Sequence, residues 1–181
     1  MKNIRYTLTF FSCWHCGSGQ SAGADVDALV VKDATGLPYV PGRTVKGLLR
    51  DAAETLVRYG EGSAEMVEKV FGCFDGSDHA VQASAFFSDA TLSEALRSRM
   101  DATLADQFYR SVTSTEIDAE GIANDKSLRK MEVVIPCTLR GTILHLPEDG
   151  VDLVKKASLY VKRIGTGRHH GLGRCRFSME D

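Results

Sequence analysis

The sequence predicts an α+β fold, and the order of its periodic segments carries that prediction. Residues 3–11 alternate, with Ile4, Tyr6, Leu8 and Phe10 set against Arg5, Thr7 and Thr9, which is the period of a half-buried strand. Two later stretches place apolar residues at helical spacing. Val45, Leu48, Leu49, Ala52, Ala53, Leu56 and Val57 form the first, and Val151, Leu153, Val154, Ala157, Leu159, Tyr160 and Ile164 the second. Extended runs at 83–88, 131–134, 137–146 and 175–178 lie between and after them. Strand, helix, strands, helix, strand is the order of a ferredoxin-like domain, a sheet covered on one face by two helices. At 181 residues the chain has the length for one such domain over 1–181 with insertions.

The first helix is the element around which the rest is placed. Residues 38–40 read as a short extended run ended by the Pro41-Gly42 turn, and Thr44 is expected to cap the helix through its hydroxyl. Lys46 and Arg50 stand four residues apart on the polar face, with Arg43 in the turn before them. Three cations at a helix N-terminus suit an anion such as phosphate, and Gly47 between them would let a ligand backbone come close. The alternative is a solvated helix start whose cations pair with Asp51 and Glu54. The Walker phosphate-loop pattern is absent, so a nucleoside triphosphatase has no support.

Between the first strand and this helix, residues 17–23 form a flexible Gly/Ser loop, Asp25 and Asp27 follow it, and 28–31 read as a second short strand. Loops held by a rigid frame are common places for chemistry. After the helix come a break at 59–63, a short helix at 64–71 and a glycine-containing loop at 72–78. Residues 89–101 are polar and expected to be exposed. The stretch 113–129 is short of large apolar residues and flanked by strand-like runs, so it reads as a protruding hairpin.

The second helix, expected over 151–164, feeds a loop containing Gly165, Gly167, Gly171 and Gly173 along with Arg168, His169, His170 and Arg174. No Asp or Glu occurs between Leu153 and Met179, although the net charge of the whole chain is −2. A one-signed run beside a loop whose backbone can approach a ligand is a candidate polyanion surface. The alternative is a structural turn and a solvated basic helix face.

Composition narrows the classes. Hydrophobic residues make up 43% and charged residues 25%, ordinary values for a globular chain. No apolar run reaches the length of a membrane span, and the N-terminal segment alternates like a strand where a signal peptide would carry an apolar block. No membrane partner and a cytoplasmic location are therefore expected. Five cysteines without an export signal read as reduced thiols. Cys13 and Cys16 bracket His15 in a CxxC, but a structural zinc site needs four ligands and the second pair is missing, so no zinc is expected. A thioredoxin-like role lacks the surrounding βαβ pattern.

Five segments together carry a family resemblance. They are Trp14-His15-Cys16-Gly17-Ser18-Gly19, Val26-Asp27-Ala28-Leu29-Val30-Val31-Lys32-Asp33, the Tyr39 to Arg50 block, Val70-Phe71-Gly72, and Gly171-Leu172-Gly173-Arg174-Cys175. In this order the sequence resembles the RAMP superfamily of CRISPR-associated proteins, and within it the backbone (Csm-type) subunits of type III effector complexes.

The resemblance implies a modified ferredoxin-like, RRM-related domain whose projecting hairpin, the thumb, falls at about 113–133. It implies binding to CRISPR RNA and to complementary target RNA, with further RAMP subunits and copies of the same chain as partners. Carried over residue by residue, it places Arg43, Lys46, Gly47, Arg50, Arg168, His169, His170, Gly171, Gly173 and Arg174 at the RNA. It further implies metal-dependent cleavage of paired target RNA at Asp27, or at Asp25 if the loop is shifted by two residues. Mg²⁺ or another divalent cation would then be held largely by RNA phosphates and water. Two alternatives stay open: a non-catalytic structural subunit, and a metal-independent RNA-processing endonuclease using His15, His169 or His170 as acid or base.

Overall fold

The alternating N-terminal segment becomes a central strand of the sheet. In a computed structural model, which describes residues 1–23, 26–74, 80–122, 124 and 127–180, it is β1 (Lys2–Phe10). The elements that follow are α1 (Gly42–Arg58), α2 (Ala64–Phe71), β2 (Cys73–Phe74), β3 (Ala80–Val81), β4 (Phe86–Phe87), α3 (Glu94–Arg97) and α4 (Ala102–Ala105). The second half contributes β5 (Tyr109–Ser114), β6 (Arg129–Val134), β7 (Thr138–Leu146), α5 (Val151–Tyr160) and β8 (Cys175–Glu180).

The main sheet has the order β4-β7-β1-β8, with every neighbouring pair antiparallel. Counting only its own strands and the two long helices, this is the ferredoxin-like order, as the sequence predicts. One face of the sheet is buried: Tyr6 and Leu8 of β1, Leu139 and Ile143 of β7 and Phe177 of β8 pack with Val45, Leu49, Ala53 and Leu56 of α1 and Val154 and Ala157 of α5. Burial of this apolar surface is the main stabilising term, at about 25 cal/mol for each Å² removed from water. Among the described residues no helix is long and apolar enough to cross a membrane.

Several expectations are corrected. The first helix starts at Gly42, so Thr44 lies inside the first turn, and no side chain of its own segment caps it. The carboxylate of Asp89 takes that role, accepting the Gly42 N–H at 2.7 Å. A side chain at Gly42 would collide with the Phe87 carbonyl, so the turn packs directly on β4 and brings Asp89 to the free amide. The stretch 89–101 is exposed only in part, at Asp89, Glu94, Ala95, Ser98, Arg99 and Asp101, and its other residues are tied to the fold. Val40 pairs with Ala90 and Thr91 with Arg140, Ala90 and Leu92 are buried, and Arg97 forms a 2.8 Å ion pair with Asp33.

The expected strand at 83–88 is regular only at Phe86–Phe87. The strand expected over 28–31 is a set of isolated bridges, Ala28 to Met131 and Val30 to Gly17. The second long helix ends at Tyr160, four residues earlier than its apolar spacing suggests. Ile164 and Lys162 instead pair with Gly173 and Cys175 across the glycine-rich loop.

The hairpin is present, with β5 and β6 paired from Tyr109 opposite Val134 to Ser114 opposite Arg129. It begins four residues before the expected boundary of 113. Asp118 orders the outer turn by accepting the N–H groups of Glu120 and Ile122. Part of the expected hairpin stretch at 113–129, and part of the loop at 72–78, lies outside the described residues.

Candidate nucleic-acid interface

A groove of about 670 Å³ opens between the middle of α1, the end of α5 and the glycine-rich loop. Leu48, Asp51, Ala52 and Thr55 line it from α1, Tyr160, Val161, Lys162 and Arg163 from the α5 terminus, and Arg168 and His169 from the loop. Lys162, Arg163, Arg168 and His169 are exposed. Arg163 donates from Nη1 to the carbonyl of Arg168, which fixes one wall to the other. Tyr160, at 54% exposure, adds an aromatic face on which a base can stack, a contact worth roughly 1–3 kcal/mol in single-strand binders. Asp51 is the acidic member of the lining.

The loop's path is dictated by its own chain. A side chain at Gly165 would collide with the His15 carbonyl, and one at Gly173 with that of Ile164. Thr166 donates to the His15 carbonyl at 2.8 Å and Gly173 to that of Cys13 at 2.7 Å. Gly173 is therefore required by packing. Gly171 and Gly47 have open space where a side chain would stand, and Gly171 has a positive φ of 84°. Gly47 has neither restriction, so a ligand can approach the helix backbone there.

The predicted RNA-binding residues do not form one patch. Arg43, Lys46 and Arg50 lie on the flank of α1 turned away from the groove, where Lys46 and Arg50 border a depression of about 250 Å³ with Gly72, Cys73 and Phe74. Arg50 is paired with Glu54 at 2.8 Å, so the solvated-helix alternative holds for this cation. No described residue forms an ion pair with Arg43 or Lys46.

His170 faces the other way from His169, into a cleft of about 390 Å³ between the loop and the hairpin, bordered by Val112, Glu116, Arg129 and Met131. Arg174 sits at the end of the main sheet, 5.7 Å from the ring centroid of Phe11. Sequence reasoning left Tyr160, Lys162 and Arg163 out of the site. The basic run did contain the two cations, but assigning residues up to Ile164 to a helix hid their place on the groove wall.

Asp27 lies against the hairpin base. Its N–H donates to the Lys130 carbonyl at 2.8 Å, and its Oδ2 accepts the Lys130 N–H at 2.7 Å. The side chain thus takes the place of a backbone carbonyl in a strand pairing. Asp27 remains exposed, and among the described residues its other oxygen has no partner. Asp25 lies outside the described residues. Among the described residues no three His, Cys, Asp or Glu side chains gather into a metal-binding group. One free carboxylate oxygen fits a cation such as Mg²⁺, which takes few protein ligands and completes its shell with phosphate and water.

Beside Asp27, the hairpin is tied to the core through Glu132. Its carboxylate accepts the Val30 N–H at 3.0 Å and pairs with Lys32 at 2.9 Å, and its carbonyl meets His15 Nδ1 at 2.7 Å. Lys32 also lies over the Tyr109 ring, 3.8 Å from its centroid. His15 is only 3% exposed, which removes it as an acid or base for an RNA substrate. Asp33 is held below the ordinary carboxylate range: burial opposes its charge, and hydrogen bonds from Thr35, Leu37 and Arg97 outweigh it. Cys16 is buried in the core, and burial pushes its thiol up to about 12, away from the thiolate a metal would need.

The chain belongs to the RAMP superfamily, whose sequence pattern matches residues 7–176. A search of curated proteins finds no match to the sequence. Among solved structures the chain is similar to one in the cryo-EM structure of the type III-B Cmr-beta bound to cognate target RNA. The TM-score is 0.73 at 10% identity, over 99% of this chain and 97% of that one. It is likewise similar to a chain of the type III-B Cmr-beta in its apo state, with a TM-score of 0.70 at 12% identity over 98% and 96%. At these identities the likeness is one of fold.

Proposed function

We propose that this chain is an RNA-binding subunit of a type III CRISPR effector complex, in which it holds guide RNA along the groove between α1, α5 and the glycine-rich loop. The groove carries this reading: four exposed cationic or imidazole side chains and Tyr160 line a channel beside the glycine-rich loop. Membership of the RAMP superfamily supports it, as does the fold shared with a chain from an assembly that binds target RNA. The partners are CRISPR RNA, complementary target RNA, other RAMP subunits and further copies of this chain. Head-to-tail contacts between copies do not close, so the assembly would grow as far as the RNA allows.

On this reading Lys46, Arg43 and Gly47 meet a second stretch of backbone on the far flank of α1. Asp27 would orient the target strand for cleavage, supplying one oxygen to a divalent ion, which when bound would polarise a phosphoryl oxygen of the scissile group. A second reading, a scaffold without cleavage, is favoured by the use of Asp27 Oδ2 to satisfy the Lys130 amide. The binding claim is tested by guide-RNA titration of Lys162→Ala and Arg168→Ala across a salt series. Each should weaken binding and lower the salt slope by about 0.7, one single-strand phosphate contact. Unchanged slopes in both would take guide RNA out of the groove.

A further inference from the structure

Among the described residues no element covers the sheet face turned away from the helices, and four arginines stand on it. Arg5 on β1, Arg140 on β7, and Arg174 and Arg176 on either side of the β8 start are all exposed. None forms an ion pair with a described residue. Strand register sets their spacing: Arg140 lies opposite Thr7, Arg176 opposite Thr9, and the Arg174 carbonyl accepts the Phe11 N–H. The four arginines therefore belong to successive backbone levels 5, 7, 9 and 11, Arg140 on one neighbour of β1 and Arg174 and Arg176 on the other side, with the guanidiniums of Arg174 and Arg176 both gathered over Phe11. Levels on one face of a strand are about 6.8 Å apart, two residues of rise.

Exposed aromatic rings bound the row. Phe11 is 46% exposed beneath the Arg174 and Arg176 guanidiniums, at 5.7 Å and 5.5 Å, and Phe86 on edge strand β4 is 58% exposed. Glu180, opposite Arg5, is an acidic side chain on the same face. Cations grouped on an open face beside rings on which bases can stack are features of single-strand recognition.

We infer that this open sheet face is a second binding surface for a single-stranded nucleic acid, separate from the groove by α1 and independent of the reading given to that groove. The strand would run across the levels of Arg5, Arg140, Arg176 and Arg174, its phosphates on the guanidiniums and a terminal base on Phe11.

The test uses the full chain and labelled oligouridylate and oligodeoxythymidylate over a salt series. It compares wild type, the Arg140→Ala/Arg176→Ala double variant, the Lys162→Ala/Arg168→Ala groove variant, and all four changes together. The sheet-face variant should lose affinity and lower the salt slope by about 1.4, two single-strand contacts, in the wild-type and groove-variant backgrounds alike. Retained thermal unfolding would confirm that these exposed changes leave the fold intact. Tighter binding of the ribo-oligomer assigns the surface to RNA, and equal binding to either strand. Slopes identical to wild type in both backgrounds overturn the proposal. So would unchanged oligomer binding with loss of self-association, which would give the face to an acidic protein surface. Failure of the groove variant alone would leave this surface standing.

Discussion

Asp27 and Lys130, 103 residues apart in sequence, exchange two hydrogen bonds, one through backbone and one through the aspartate carboxylate. The side chain has a structural duty beside any chemical one, and the two separate by substitution. Asp27→Asn keeps an oxygen for the Lys130 amide and removes the charge, while Asp27→Ala removes both. If the carboxylate serves cleavage, both variants lose periodic cutting of complementary RNA in an assembled complex with Mg²⁺, and guide binding persists in both. Cutting that survives in the Asn variant and fails only in Ala would make Asp27 a positioning residue. Loss confined to Asp25→Ala would move the role two positions upstream.

The Asp89 cap should be measurable in stability. Asp89→Ala leaves the Gly42 N–H without its carboxylate and is expected to cost about 1 kcal/mol, the usual loss for an N-cap oxygen. For a chain of this size that lowers the unfolding midpoint by roughly 2–4 °C. Asp89→Asn should recover most of the loss in the same thermal scan.

Two glycines are expected to respond in opposite senses. Gly47→Ala places a methyl into open space on α1 and should stabilise the helix by up to about 1 kcal/mol. Binding of RNA to that flank should weaken in the same protein. Gly173→Ala drives a methyl into the Ile164 carbonyl at a positive φ of 72° and is expected to be severely destabilising. Urea denaturation of the two variants distinguishes them directly.

Two buried thiols, Cys16 and Cys175, and the half-buried Cys137 give the fold a pH dependence. Burial pushes Cys16 up to about 12 and Cys137 and Cys175 up to about 11, whereas an unfolded thiol titrates near 8.5. Above about pH 8.5 the unfolded state gives up protons that the folded state retains. Stability is therefore full below that pH and falls as pH rises toward 11–12, by up to about 1.4 kcal/mol per pH unit for each thiol. Urea midpoints at pH 7.5 and 9.5 test the sign, and replacing Cys16 with Ala should flatten the slope.

The parts of this fold that were legible in the sequence are those set by local periodicity. The alternation of Ile4, Tyr6, Leu8 and Phe10, the apolar stripe from Val45 to Leu56 and the low-core hairpin each carry their signal within a short window. What was not legible depends on contacts made across the chain. Nothing near Gly42 in sequence announces that Asp89 will cap it, and nothing near Ala90 shows that Val40 will pair with it.

The same limit applies to the site. Arg168 and His169 were visible as members of a basic loop, but the groove exists only because the chain after Tyr160 leaves the helix and pairs with Gly173 and Cys175. His15 looked reactive beside two cysteines, and only the packing of Gly165 and Glu132 around it reveals a core residue.

Glu132 gives the hairpin a fulcrum. Its carbonyl is held by His15 and its carboxylate by Val30 and Lys32, all at one point near the inner end of β6. Beyond that point residues 113–122 of the outer arm are all exposed, so any swing of the arm is leverage about a pinned joint. A partner that pushes on the tip therefore transmits its torque to the segment carrying Asp27, which is bonded to Lys130 just two residues from the pivot.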